Sequence, residues 1–248
     1  MCNPASFVLT KDRVFWSKKT DSHDKIINEY SLCESIRNES PATCEACTLK
    51  VEIVPPSKNA FDAPLNEWIF LIDQDIMPKW FDAVADEKRA RDVLVEWAKS
   101  KLIRSGENRD VNEGDCILAI CGGVVSEIRG GTVSKICGGT VSKIYGGTVS
   151  EICGGTVSSI CGGVVSEIRG GTVSKIFGGV VRFFTKFSCK IIGKYSVAID
   201  MTGKKARCFV GTDKMRTITN MNKDELVAAQ ARSAKAARDA KNRNRTGA

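Results

Sequence analysis

The sequence has no run of about 18 consecutive apolar residues, which a membrane-spanning helix needs, so a helical membrane span is excluded. The first residues also lack the basic start and apolar core of a secretory signal. We therefore expect a cytoplasmic protein without membrane contact, whose eleven cysteines are reduced thiols. A phosphate-binding glycine loop is also absent, since the glycines follow a different pattern.

Histidine occurs only once, as His23, and the C-x-x-C spacing occurs only once, at Cys44 and Cys47. A zinc site built from two such pairs is therefore excluded. His23, Cys33, Cys44 and Cys47 could together form a Cys3His zinc site, but their spacing is irregular. Plain loop thiols are the alternative. We predict no metal and no cofactor, with these four residues as the ligands if a site exists.

Catalysis has one candidate pair. Removal of Met1 would leave Cys2 as an N-terminal residue whose thiol and amine can act as nucleophile and base. His23 could orient that thiol, and a buried structural cysteine is the alternative. We predict a protein that is not an enzyme and keep Cys2 and His23 as the candidates for a cysteine-dependent activity.

The net charge of +8 is concentrated towards the C-terminus. Cations and anions number 16 and 20 in residues 1–113, but 12 and 4 in residues 202–248. Asn222 and Glu225 form a capping-box pattern, which predicts a basic helical tail over residues 222–248. No aromatic residue accompanies its cations, so nucleic-acid contact there would involve phosphates and be independent of sequence. These cations are Arg232, Lys235, Arg238, Lys241, Arg243 and Arg245.

A repeat of eight residues fills the middle of the chain. Gly-Gly pairs recur every eight residues from position 122 to position 178 and enclose seven units with the pattern Gly-Gly-Thr/Val-Val-Ser-x-Ile-x. A meander of hairpins is one interpretation, but side-chain alternation would then leave no clean apolar face. A coil that bends after the serine can turn both Val and Ile inward, which is typical of a β-solenoid.

We predict a two-sided solenoid with two units, and therefore about sixteen residues, in each rung; a three-sided rung of 24 residues fits the charges about as well. Sixteen-residue spacing stacks Glu127 over Lys143 and Lys135 over Glu151, but it also stacks Glu151 over Glu167. Cys121, Cys137 and Cys153 form one column, which we interpret as packing, because a straight column cannot supply a tetrahedral metal site.

Residues 7–103 have the pattern of a compact α+β unit. Short apolar strands precede a helical spacing of Ala90, Val93, Leu94, Trp97 and Ala98. The segments MCNPASFVLT, VFWSKKTDSHDKII, VEIVPP and EWIFLIDQDIMPKW resemble an uncharacterised protein family of tailed bacteriophages. Members of that family join such a domain to short solenoid-like repeats. The resemblance implies a phage or prophage origin and a bacterial host cytoplasm, and it brings no established activity.

Together these patterns predict an α+β domain at 1–113, an all-β octapeptide solenoid at 114–201, a short β cap at 202–221 and a basic helix at 222–248. The function that we expect is a non-enzymatic scaffold or binding protein with a rigid repeat surface and a protein partner. Variable positions of the repeat would select the partner, namely Arg129, Tyr145 and Arg169. Nucleic acid bound by the tail is the alternative, and an enzyme that uses Cys2 is a third.

Overall fold

The computed structural model describes residues 4–33, 35–37, 44–57, 60–228 and 231. Its N-terminal part is an α+β domain, as predicted. In chain order its elements are β1 (Ser6–Leu9), β2 (Val14–Phe15), α1 (His23–Glu29), β3 (Ser35–Arg37), β4 (Cys44–Ala46), β5 (Leu49–Val54), β6 (Ile69–Ile72) and α2 (Ala83–Lys101). Strands β2-β1-β5-β6 form one antiparallel sheet, and β3 pairs with β4.

The two helices cover opposite faces of this N-terminal sheet. Helix α2 places Leu94 and Trp97 against Phe7 and other buried residues of one face, whereas α1 places Ile26 against Val8 on the other. Asp82 caps α2, because its carboxylate accepts hydrogen bonds from the first-turn amides at 3.0 and 2.9 Å. The core under α2 also includes Ala119, so the domain packs directly on the start of the solenoid.

The solenoid runs through residues 102–200 in about six turns of about sixteen residues, which confirms the two-sided prediction. Its strands are β7 (Leu102–Ile103), β8 (Cys116–Ile120), β9 (Val124–Ile128), β10 (Thr132–Ile136), β11 (Thr140–Ile144), β12 (Thr148–Ile152), β13 (Thr156–Ile160), β14 (Val164–Ile168), β15 (Thr172–Ile176), β16 (Gly179–Phe183), β17 (Ser188–Ile191) and β18 (Ser196–Asp200). The front sheet contains β9, β11, β13, β15 and β17, and the back sheet contains β7, β8, β10, β12, β14, β16 and β18.

A bend at the central serine lets each strand bury two residues that simple alternation would place on opposite faces. Strand β10 pairs in parallel with β12 through Val133↔Val149 and Lys135↔Glu151, and the pairing omits Ser134. Val133 and Ile136 are both fully buried as a result. Burial of each such side chain contributes about 1.5–3 kcal/mol, so the Val and Ile columns are the solenoid's main source of stability.

The charge columns match the predicted register. Lys143 pairs with Glu127 across the front sheet, and the Lys135 amine lies 3.4 Å from the Glu151 carboxylate on the back sheet. The like pair Glu151 over Glu167 also forms. Its repulsion is offset by Arg169, whose Nε lies 3.8 Å from Glu151 and 2.7 Å from Glu167.

Both ends of the solenoid depart from the consensus. The glycine period predicts a start at Gly114, but residues 102–113 already form a first rung, in which β7 pairs with β8 and Val111 bridges to Ile128. At the other end β19 (Arg207–Val210) and β20 (Arg216–Thr219) run antiparallel to β18 and β17. These two strands cap the back and front sheets. A short helix follows at residues 223–228.

The second glycine of each pair has a positive φ and lies against the carbonyl of the rung below. At Gly139 φ is +71° and an added Cβ would lie 2.3 Å from the Gly122 oxygen, whereas at Gly106 φ is +85° and nothing lies within 4 Å. Gly106→Ala should therefore lower the free energy of unfolding only by the cost of the backbone conformation, about 1–2 kcal/mol. Gly139→Ala should cost at least about twice as much. Urea denaturation measures both, and equal losses would contradict the close rung contact.

Deleting Gly138–Cys153 removes one whole rung, and the remaining rungs can restack with Glu167 over Lys135. Deleting only Gly138–Tyr145 shifts the sequence by half a rung and places Glu151 over Glu127, next to Glu167, in one column of like charges. We expect the sixteen-residue deletion to melt cooperatively at a higher temperature than the eight-residue deletion. Thermal melts of the two proteins decide this, and the reverse order would count against the two-sided coil.

Candidate binding surface

One corner of the solenoid carries an exposed aromatic column. The aromatic corner, where the chain passes from front to back sheet, consists of Arg129, Tyr145, Cys161, Phe177 and the segment 192–195. Each rung is tied to the one below: the amides of Tyr145, Cys161 and Phe177 donate to the isoleucine carbonyls of the preceding rung at 2.7–2.8 Å. Tyr145, Phe177 and Tyr195 are 45%, 40% and 82% exposed. The solenoid thus holds three open aromatic rings on one edge.

A column of lysines runs beside the aromatic corner on the front sheet. In register order the column is Glu127, Lys143, Ser159, Lys175 and Lys190. The three lysine side chains are exposed. Lys143 and Lys175 each precede an aromatic residue of the corner by two positions. Cations and aromatic rings therefore lie side by side along the same edge.

Lys143 and Tyr145 show how the two columns contact each other. The lysine amine donates to the tyrosine hydroxyl at 3.0 Å and lies 5.5 Å from the ring centroid. This hydrogen bond raises the pKa of Lys143, so the ammonium keeps its charge well above neutral pH. The pair presents a cation and an aromatic surface as one unit.

The other two predicted binding residues are already engaged by acids. Arg129 lies at the aromatic corner, where its guanidinium is 2.8 Å from Glu127 and 3.4 Å from Asp110. Arg169 lies at the opposite corner, bound to Glu151 and Glu167. The structure therefore brings Arg129 and Tyr145 together in one column and places Arg169 on the other side of the solenoid.

The opposite corner is the cysteine corner, formed by Cys121, Cys137, Cys153 and Arg169. The Cys137 and Cys153 sulfurs lie 3.3 Å apart along this straight column. Burial, followed by the neighbouring thiol of Cys137, raises the pKa of Cys121 to about 12. Burial and the hydrogen bond from Cys153 raise the pKa of Cys137 to about 12. Thiols held in this state are poor nucleophiles and poor metal ligands at neutral pH.

His23 lies in the N-terminal domain, 2% exposed, with an oxygen beside each ring nitrogen. Its Nε2 is 3.0 Å from the Val51 carbonyl oxygen, and its Nδ1 is 3.1 Å from the Asp73 carboxylate. In the described part of the chain, His23, Glu52 and Asp73 bring ligand atoms within 4.8 Å of one another and could hold a metal ion. The pattern of the sequence did not point to these two carboxylates.

The structure brings Cys33 and Cys47 together, with their sulfurs 3.7 Å apart. The Cys44 side chain lies outside the described residues. The same is true of Cys2 and of Arg232, Lys235, Arg238, Lys241, Arg243 and Arg245, so the cysteine-enzyme and tail hypotheses stay predictions. At the start of the tail the capping box does form: the Glu225 amide donates to Asn222 at 2.9 Å, and the Asn222 amide donates to Glu225 at 3.1 Å.

Comparisons of the chain with protein-family models, with curated proteins and with solved structures find no match. In the described residues no helix has both the length and the apolar composition to cross a membrane. Function must therefore be inferred from the surface of the protein itself. The sequence pattern predicted Tyr145 as a partner-binding residue, but not Phe177, Tyr195 or the lysine column. If the residues at the variable eighth position are grouped at a spacing of sixteen, Phe177 falls in the same column as Tyr145.

The cysteine corner predicts a wide spread of thiol reactivity. A pKa of about 12 instead of 9 leaves about a thousandfold less reactive thiolate at neutral pH. At pH 8 we expect iodoacetamide to modify the exposed Cys208 much faster than Cys121 and Cys137. The modification rate of the last two should rise about tenfold per pH unit up to about pH 12. Peptide mass spectrometry measures each site, and labelling of Cys137 as fast as Cys208 would contradict the protection of the partly buried column.

Proposed function

We propose that this protein is a non-enzymatic binding or scaffold protein that presents the aromatic corner to a macromolecular partner. The observation that carries the proposal is the placement of Tyr145, Phe177 and Tyr195, all at least 40% exposed, on one edge of the solenoid. Exposed aromatic side chains are enriched where proteins bind partners, because they bury a large area at low entropic cost. A repeat fold suits this role because its surface is extended and regular.

Backbone pairing makes the aromatic corner a rigid surface. Front strands pair residue by residue with the strand sixteen positions away, as in Thr140↔Thr156 and Ile144↔Ile160. The corner amides add a further hydrogen bond at each rung. A surface fixed in this way loses little conformational freedom when a partner binds.

The partner-binding residues in this proposal are Tyr145, Phe177 and Tyr195, with Lys143 beside them. Arg129 extends the same column, but its ion pairs with Glu127 and Asp110 leave it less free to turn towards a partner. Arg169 supports the back sheet by bridging two glutamates. We assign Arg169 to stability, and Arg129 to the rim of the surface.

The setting of this function rests on the resemblance of residues 1–103 to the tailed-phage family. On that basis we place the protein in the cytoplasm of an infected or lysogenic bacterium, where the partner would be a host or phage macromolecule.

The test compares what three immobilised proteins retain from a bacterial lysate. One is the wild type, one is a corner variant with Tyr145→Ser, Phe177→Ser and Tyr195→Ser, and one is a control with Val124→Ser, Val164→Ser and Met201→Ser. The control residues are 43%, 39% and 39% exposed but lie outside the aromatic corner. We expect the wild type and the control to retain the same protein or nucleic acid and the corner variant to lose it.

All three proteins should melt at similar temperatures, because the substituted side chains are exposed and do not belong to the hydrophobic cores. Retention of the same macromolecules by the corner variant and the wild type would contradict the proposed function. Loss of the partner by the control alone would place the binding surface elsewhere on the solenoid.

A further inference from the structure

The charges of the solenoid are separated between its two sheets. Residues 130–199 contain two acidic residues, Glu151 and Glu167, and both lie on the back sheet. There they neutralise Lys135 and Arg169. On the front sheet Glu127 binds Arg129 and lies in register beside Lys143, whereas Lys175 and Lys190 stack without an acidic neighbour in register.

Three exposed lysines of the front sheet form no ion pair with any described residue. Lys143, Lys175 and Lys190 are exposed, and in the described part of the chain none of them has a carboxylate within salt-bridge distance. With rungs about 4.8 Å apart, the backbone positions of the three lysines extend over about 14 Å along the column. A linear ligand with regularly spaced negative charges matches this column.

The exposed aromatic rings restrict the chemistry of the ligand further. Phe177 lies two rungs from Tyr145, at about 9.6 Å, and Tyr195 lies in the following rung at the same corner. Their exposed faces need flat apolar groups to cover them. A ligand that fills both columns must carry anionic groups along one side and planar rings along the other.

We propose that the aromatic corner and the lysine column together bind single-stranded nucleic acid, with bases stacked on Tyr145, Phe177 and Tyr195 and phosphates on Lys143, Lys175 and Lys190. This assignment rests on the proposed function and names the chemistry of its partner. Aromatic platforms beside a cationic groove are the general means by which proteins bind single strands without reading their sequence.

Other polyanions can neutralise the lysine column but leave the aromatic rings uncovered. A DNA duplex offers phosphates, but its bases are already stacked on one another and cannot cover the rings. An acidic protein segment can neutralise the lysines, but its carboxylates leave the rings exposed. The combination of cations with open rings therefore favours an unpaired strand.

The experiment measures binding of a fluorescein-labelled oligothymidine of about 15 nucleotides to the full-length protein by anisotropy, from about 50 to 200 mM salt. A duplex of the same length and a polyglutamate chain are the competitors. The lysine variant carries Lys143→Gln, Lys175→Gln and Lys190→Gln. Its control removes the same charge from the N-terminal domain through Lys11→Gln, Lys19→Gln and Lys25→Gln, all of them exposed lysines.

We expect the wild type to prefer the single strand over both competitors. The lysine variant should lose up to about two units of the salt slope, since each phosphate contact of a single strand contributes about 0.7. The triple-serine corner variant should bind about tenfold more weakly for each base that loses its stacking, with the salt slope little changed. Tyr145→Trp and Phe177→Trp should bind like the wild type, because they keep the aromatic faces.

The basic tail is tested in parallel with Arg232→Gln, Arg238→Gln, Arg243→Gln and Arg245→Gln. If this tail variant loses all binding while the corner variant binds like the wild type, the assignment is wrong. Absence of oligothymidine binding near 50 mM salt, equal affinity for the duplex, or equal competition by polyglutamate would each overturn it as well. In any of these cases a lysate partner that the corner variant still loses would leave the proposed function standing.

Discussion

The solenoid depends on backbone contacts that leave no room for a side chain at its corners. An added Cβ at Gly138, Gly154 or Gly170 would lie 2.2–2.3 Å from the carbonyl oxygen of the preceding rung. Glycine therefore allows successive corners to stack at the spacing that parallel strands require. Since this contact recurs every eight residues, both sheets continue in register over the whole repeat. The buried Val and Ile columns, and all the surface columns, follow from that register.

Register also gives chemical character to the surface. With sixteen residues per rung, the variable eighth position separates into two columns, one with Cys121, Cys137 and Cys153 and one with Tyr145 and Phe177. Partial burial raises the pKa of Cys121 and Cys137 in the first column, so we expect these two thiols to react slowly. The second column stays open beside exposed lysines. Two units with nearly the same sequence thus form two edges with different chemical character.

Much of this architecture could be predicted from the sequence, because a repeat fixes local structure and stacking at once. The glycine period, the inward Val and Ile, the Lys135–Glu151 pair and the Asn222–Glu225 capping box all rest on residues close together in the repeat or in the chain. The first rung, residues 102–113, could not be predicted, since it lacks the glycine pair and is held by pairing with β8 and β9.

Several contacts of the candidate site could not be predicted either, because they too depend on residues that are distant in the sequence. Which acids neutralise Arg169, which oxygens surround His23 and how Cys33 approaches Cys47 depend on tertiary packing and have no local sequence signature. Phe177 occupies the variable position of a repeat unit, but its relation to Tyr145 becomes clear only when the units are stacked into columns. Tyr195 lies outside the consensus units, so its place at the same corner follows from the way β17 connects to β18.

The sixteen-residue rung, on which every surface column depends, can be tested directly by engineered cross-linking. Thr140 and Thr156 are paired neighbours on the front sheet, whereas Thr148 lies on the back sheet. Adjacent strands are close enough for a disulfide. Oxidation of the Thr140→Cys/Thr156→Cys protein should therefore give this cross-link by peptide mass spectrometry, and the Thr140→Cys/Thr148→Cys protein should give none. A cross-link in the second protein but not in the first would contradict the two-sided solenoid.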